Sequence, residues 1–253
     1  LNILDIYLLQ QEEAPREKNI LIPWSGGFDS TALVLGNLLK GNKVSVYRVN
    51  IENNELQNKT EEVAFEKMFN LLSKKFENSL FRLEDPLFRV TGKFGKYYLP
   101  QAIPLIVGAV FMSSCHYDEI QMAYIMNDDA ISFEEEIKSL FASFQVLISE
   151  KLPPLVFPLK KVNKKCIIEF LRFESIGRKL IDYISFCEHP HDNLKPCGMC
   201  TKCKKMKETV LFERFFPEEY EKKAVLAEKL FPEDHEEKVE AKNTPTVMAV
   251  AND

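Results

Sequence analysis

The stretch Asn19-Ile20-Leu21-Ile22-Pro23-Trp24-Ser25-Gly26-Gly27-Phe28-Asp29-Ser30 decides the reading of this chain. An apolar run enters a turn of small residues, and Thr31-Ala32-Leu33-Val34-Leu35-Gly36-Asn37-Leu38-Leu39 continues as a helix-like segment. Strand, small-residue turn and helix in that order build a phosphate cradle. Two successive glycines permit φ > 0 and remove the Cβ atoms that would hold an anion away, so consecutive N–H groups converge on one oxyanion. The following helix adds its positive N-terminal end. Ser25, Ser30 and Thr31 are candidate hydroxyl donors to phosphate oxygens, and Phe28 lies within the same cradle. Asp29 faces a phosphate comfortably only with a divalent cation between them, so magnesium is expected beside ATP. No lysine stands in the turn, which disfavours the G-x-x-x-x-G-K-S/T phosphate loop. A Gly-Gly pair can also be a plain tight turn, but turning alone does not need Ser, Asp and Ser at these offsets.

Outward from this turn the chain alternates. Residues 18–23 read as a first strand, 31–40 as its helix, 43–50 as a second strand, 61–76 as a helix and 78–83 as a third strand. Residues 99–114 read as a buried helix and 119–125 as a fourth strand. A long amphipathic helix over 133–152 follows, with Ser132 as its N-cap, then a short strand at 155–159 and a helix at 164–175. This alternation predicts an α/β fold with a mostly parallel, doubly wound sheet. The glycine turn then lies at the carboxyl edge of strand one, where such sheets bind ligands, and Val49 at the end of strand two is the natural neighbour for adenine. The organisation expected is a nucleotide-binding domain over residues 1–180, a small zinc-binding helical lobe over 181–231 and a flexible tail over 232–253.

Four of the six cysteines, Cys187, Cys197, Cys200 and Cys203, form a C-x9-C-x2-C-x2-C run. Two C-x2-C steps sharing a central cysteine place three sulfurs on a compact knuckle, and Cys187 can close a tetrahedron around zinc. An iron–sulfur cluster accepts the same four thiolates, and spacing alone does not separate the two. Four thiolates on Zn²⁺ leave two excess negative charges, which Lys195, Lys202, Lys204, Lys205 and Lys207 can offset. Cys115 and Cys166 stand alone in apolar surroundings and read as core residues.

At 253 residues and 45% hydrophobic content the chain can bury a substantial core. A net charge of −5 argues against direct nucleic-acid binding, which needs clustered Lys and Arg to neutralise phosphates. The most apolar stretch, residues 103–113, is too short to cross a bilayer, so no membrane association is expected. No secretory leader is read, and free cysteines suit a cytoplasmic location.

The turn resembles the S-G-G-x-D-S signature of the PP-loop ATP pyrophosphatases, which cleave ATP between the α and β phosphates and adenylate a substrate. Together with the cysteine run, whose heart is Pro196-Cys197-Gly198-Met199-Cys200, it resembles the QueC family of 7-cyano-7-deazaguanine synthases over roughly residues 19–207. The family's P-L-x4-K element is matched by Pro158-Leu159 and Lys164. The resemblance implies an adenine nucleotide alpha hydrolase-like fold in which Asp29 and Lys164 serve catalysis, Lys164 stabilising charge on the α-phosphate or departing pyrophosphate. It implies ATP, ammonia and a deazapurine acid as partners, and a homodimer. Three departures stand out: Gln101 replaces an expected arginine, Asn50 an aspartate, and Met126-Asn127-Asp128-Asp129-Ala130-Ile131-Ser132 the family's small-residue and aromatic loop. That loop motivates an alternative, a ligase that stops at the amide or joins the acid to another amine, possibly on a protein. A non-catalytic nucleotide-binding zinc module is the reading from another class.

Overall fold

The computed structural model describes residues 17–51, 55–83, 88–90, 102–113, 116–148 and 151–230. The expected tail, residues 99–101 with Gln101, and Cys115 lie outside them. A five-stranded, all-parallel sheet is ordered β4-β2-β1-β6-β7, with β1 Asn19–Pro23, β2 Lys43–Tyr47, β4 Leu80–Arg82, β6 Glu119–Gln121 and β7 Leu155–Val156. A separate parallel pair joins β3 Val49–Ile51 to β5 Phe88–Val90. From β1 the chain steps outward through β2 to β4, then returns to the other side of β1. This reversal opens a crevice at the carboxyl ends of β1 and β6.

Alternation along the strands sorts the core into two faces. Leu21, Ile120 and Leu155 are in register and point to one face, where they join Ile106 and Ala109 of α3 Ala102–Met112 and Ile137 and Phe141 of α4 Glu134–Ile148. Gly108 lets α3 approach that face, since a Cβ there would stand 2.9 Å from the Tyr47 ring. Ile20, Val44 and Leu80 share the opposite face. That face is covered by α1 Phe28–Leu39, whose buried Asn37 donates to Gln121 of β6 at 2.8 Å. Against α1 pack α5 Lys164–Phe173 and α6 Ser175–Ile181. The nineteen-residue α2 Glu55–Ser73 crosses between β3 and β4. Helices thus cover both faces of a parallel sheet, as the alternation predicts.

Several boundaries differ from the sequence reading. The second strand breaks at Arg48, whose buried guanidinium turns to Asn50 Oδ1 at 3.0 Å. Ser132 is not an N-cap: it lies within a short 3-10 turn, Asp129–Phe133, that precedes α4. The helix expected over 164–175 is two helices, parted at Glu174 in extended conformation. Toward the C-terminus come α7 Thr201–Lys207, α8 Phe212–Phe215 and α9 Pro217–Leu230. The chain divides into two compact units, Leu1–Lys204 and Lys205–Asp253. None of the described helices is long and apolar enough to cross a membrane.

Candidate functional site

The glycine turn sits where β1 hands over to α1, at the crevice. Gly26 takes φ +83°, the left-handed region, and a Cβ there would stand 3.2 Å from the Glu61 carbonyl oxygen. Gly27 caps α1 with extended backbone. The first intrahelical bond runs from Thr31 N–H to the Gly27 carbonyl at 3.0 Å, so the amides before it point out of the helix end. Ser25 is exposed, and its Oγ accepts from the Gly27 amide at 3.3 Å and lies 3.1 Å from Ser30 Oγ. These groups form a cluster of donors at the positive end of a helix.

Two residues of the expected donor set face elsewhere. Thr31 is fully buried, its hydroxyl accepting from Trp24 Nε1 at 3.0 Å and donating to Met68 sulfur at 3.7 Å, so it braces the turn from behind. Phe28 is buried with its ring 6.1 Å from Phe186, leaving its backbone for the cradle. Val49 lies at the same carboxyl edge, but its side chain packs against the core beneath α3.

Asp29 and Lys164 meet across the mouth of the cradle: Lys164 Nζ is 2.7 and 2.6 Å from the two carboxylate oxygens. Lys164 opens α5, held there by Asn163, whose Oδ1 accepts from the Cys166 amide at 2.9 Å. The ammonium already supplies the positive charge that the sequence reading assigned to a cation at Asp29. A phosphate or a metal arriving here competes for the same pair.

A residue the sequence reading passed over stands in this crevice. Asp128, in the loop after β6, accepts from the Ile125 amide at 2.8 Å. Burial raises its carboxyl, the Ile125 bond opposes the rise, and the Asp29 charge adds to it. Asp128 thus feels the charges of both Asp29 and Lys164, and carboxylate oxygens are the hard donors that magnesium takes. The sequence marked residues 126–132 as a departure from the family's loop but did not single out Asp128 within it. Beside the turn a pocket is lined by Arg48, Arg82, Glu62, Glu66 and Phe65, with Arg82 paired to Glu66 at 2.7 Å.

The four cysteines converge. Their sulfurs lie within 4.8 Å of one another, with Cys187–Cys200 and Cys197–Cys203 both at 3.9 Å, and the group could hold a metal ion. Backbone amides of Met199 and Cys200 donate to Cys197 Sγ, that of Cys203 to Cys200 Sγ, and that of Cys197 to Cys187 Sγ. Such bonds favour thiolates. Burial pushes the Cys187 thiol up to about 11; at Cys197 burial is outweighed by the amide donors and neighbouring sulfurs, and the thiol falls to about 6. One tetrahedral ion with bonds of about 2.3 Å sets its sulfurs about 3.8 Å apart. A 4Fe-4S cluster places each thiolate on a different iron and needs a wider set.

No family model matches the chain, and no curated protein matches it. Solved structures similar to it include the U34-tRNA thiolase NcsA from Methanococcus maripaludis with its 4Fe-4S cluster, at 11% identity over 96% of this chain and 83% of that one, TM-score 0.47. Others are the NMN synthetase from Francisella tularensis (11% identity, 71% of each chain, TM-score 0.32) and the NH3-dependent NAD synthetase from Campylobacter jejuni subsp. jejuni (10% identity, 97% of this chain and 95% of that one, TM-score 0.29). Likeness this low leaves function to rest on the residues of this chain.

Proposed function

We propose that the chain is an ATP-dependent adenylating ligase of the PP-loop type, related to the QueC synthases. Its acceptor is 7-carboxy-7-deazaguanine, which it converts with ammonia to the amide and then to 7-cyano-7-deazaguanine. The observation that carries the reading is the Ser25-Gly26-Gly27-Phe28-Asp29-Ser30 turn at the β1–β6 crevice, with Lys164 held over it by Asp29. Amides of the turn and the ammonium of Lys164 face charge that grows on the departing pyrophosphate, the kind of stabilisation that counts most in a partly desolvated site. Asp29 and Asp128 would hold magnesium, which supplies further positive charge to the phosphates.

The substrate carboxylate attacks the α-phosphorus, the bond to the β-phosphate oxygen breaks, and pyrophosphate leaves. Ammonia then attacks the acyl carbon, AMP departs with the C–O bond pair, and nitrogen loses a proton. A second ATP adenylates the amide oxygen with release of another pyrophosphate; AMP then departs with the C–O bond pair and nitrogen loses two protons, which leaves the nitrile. No side chain serves as nucleophile; the protein aligns the partners and excludes water from the acyl-adenylate. Zinc on Cys187, Cys197, Cys200 and Cys203 is structural in this reading, and the sulfur spacing supports one ion.

A second reading has the loop at 126–132 in its favour. Where the family has small and aromatic residues, this loop carries the Asp128 carboxylate, which feels the charges of Asp29 and Lys164, and in this reading the enzyme stops at the amide or uses another amine, on a small molecule or a protein. The test is purified protein with ATP, magnesium, the acid and ammonium, read by mass spectrometry and by pyrophosphate release. Acid-dependent AMP and pyrophosphate are expected, with nitrile for the first reading and amide or another conjugate for the second. ADP and orthophosphate as the nucleotide products would reject both. Asp29→Asn should lower turnover about a hundredfold or more with the fold intact.

A further inference from the structure

We propose that residues 184–187 form a strap through which the four-cysteine metal centre fixes the glycine turn, with Ser185 as a positioning residue for nucleotide binding. The inference rests on the nucleotide reading of the turn. Ser185 N–H donates to the Gly26 carbonyl at 3.0 Å, from a segment remote in sequence. In a trans peptide the carbonyl of Gly26 and the N–H of Gly27 point in opposite directions, and the described residues contain no cis bond. Anchoring the carbonyl on one side therefore aims the Gly27 amide to the other, where it meets the exposed Ser25 hydroxyl at 3.3 Å. Two glycines offer no side-chain resistance to rotation of the peptide between them. The Ser25 hydroxyl holds the amide side of that peptide from within the turn, and Ser185 holds its carbonyl side from outside with the shorter bond.

The next residues tie this bond to the metal centre. The Phe186 ring lies 6.1 Å from Phe28, the first residue of α1, so the strap follows the turn into the helix. Cys187 is 3% exposed, with its sulfur 3.9 Å from that of Cys200. A ligand two residues from Ser185 leaves the strap little slack when a metal is bound. Lys202, between Cys200 and Cys203, acts electrostatically on both Asp128 and Glu61, which places the knuckle beside the crevice. No part of this geometry requires chemistry at the metal; its contribution is the position of one amide.

Trp24 is the only tryptophan and, buried behind the turn, bonds to Thr31, so its fluorescence follows changes in the packing of the turn on ATP binding. The test titrates magnesium-ATP into full-length protein with its metal, into the same protein stripped by a chelator, and into Ser185→Pro and Ser185→Ala. Ser185→Pro removes the donor; Ser185→Ala keeps it. Metal content and far-UV circular dichroism are measured on each sample. Expected are wild-type ATP affinity in Ser185→Ala and a loss of about tenfold or more in Ser185→Pro that keeps its metal and helices. A similar loss is expected in the stripped wild type, with little further loss on stripping Ser185→Pro. Unchanged affinity in a folded, metal-bearing Ser185→Pro, or in a folded stripped wild type, overturns the proposal. Should either sample lose its fold, hydrogen exchange on the wild type decides. Faster exchange at residues 26–31 on metal removal, with Val44 and Val46 still protected, supports the strap; an equal rise in both, or none, overturns it. Failure of the loaded wild type to bind ATP at all would instead reject the nucleotide reading.

Discussion

In the proposed site a single side chain, that of Asp128, works against the fold. Burial and the neighbouring Asp29 both oppose its charge, so its folded-state carboxyl sits above the ordinary aspartate value. A raised carboxyl holds its proton more tightly in the folded protein than in the unfolded one. Its contribution is fully present below the ordinary aspartate range and is lost as pH rises through the raised value. Asp128→Asn keeps an oxygen for the Ile125 amide and removes the charge. The variant should therefore unfold a degree or more higher than wild type near pH 8, with the gain shrinking toward pH 4. Because the same carboxylate is proposed to hold magnesium with Asp29, ATP turnover should fall while stability rises, as at other sites where function opposes stability. Melting temperatures of both proteins from pH 4 to 8 check the first half and pyrophosphate release the second. A gain that grows toward acid would contradict the assigned direction.

Among the elements, α5 carries the most weight for the site, because its first residue is Lys164. Its start is fixed by Asn163, and its buried face of Cys166, Ile167, Ile168, Phe170 and Leu171 fixes its roll. Asn163→Ala should cost about 1 kcal/mol in urea unfolding through loss of the cap. It should also weaken ATP binding by loosening the angle at which Lys164 leaves the helix. A variant as stable as wild type would show that the cap is dispensable. The start of this helix at Lys164 was legible from local sequence, while its break at Glu174 was not. β1 and the end of α1 were legible in the same way, and Gly41, just past that end, takes φ +80°. What escaped sequence reading depends on distant partners. The run from Lys43 to Asn50 has unbroken β propensity, yet the strand parts at Arg48 because that side chain finds Asn50 and the Asn58 carbonyl in a buried setting. The start of α2 at Glu55 was hidden because its first turns are polar and hold together through pairs such as Gln57 with Glu61, not through an apolar face. The three-residue β5 is too short for a period to show.

At the scale of the molecule, parallel strands bring every carboxyl end to one edge, and residues far apart in sequence meet there. That is why Asp29 finds Lys164, a residue the sequence offered only through the family resemblance. The cysteine run was readable for the opposite reason, being compact in sequence. The strap from Ser185 to Gly26 had no sequence signal, since a backbone amide donor leaves none. A metal bound only by the folded arrangement of four sulfurs adds its binding energy to folding. Above its dissociation constant, each tenfold increase in free zinc should stabilise the protein by about 1.4 kcal/mol. For a chain of this size that corresponds to a rise of roughly 3–6 °C per decade. Scanning calorimetry in zinc buffers spanning two decades measures the slope, and Cys200→Ser should flatten it by removing a ligand. A wild-type melting temperature indifferent to free zinc, in protein free of iron absorbance, would mean that the four thiols, despite sulfur pairs at 3.9 Å, do not bind a stabilising ion. The folded shape of the knuckle would then have to come from its amide–sulfur bonds alone, at a few tenths to one kcal/mol each, with two of the four cysteines buried.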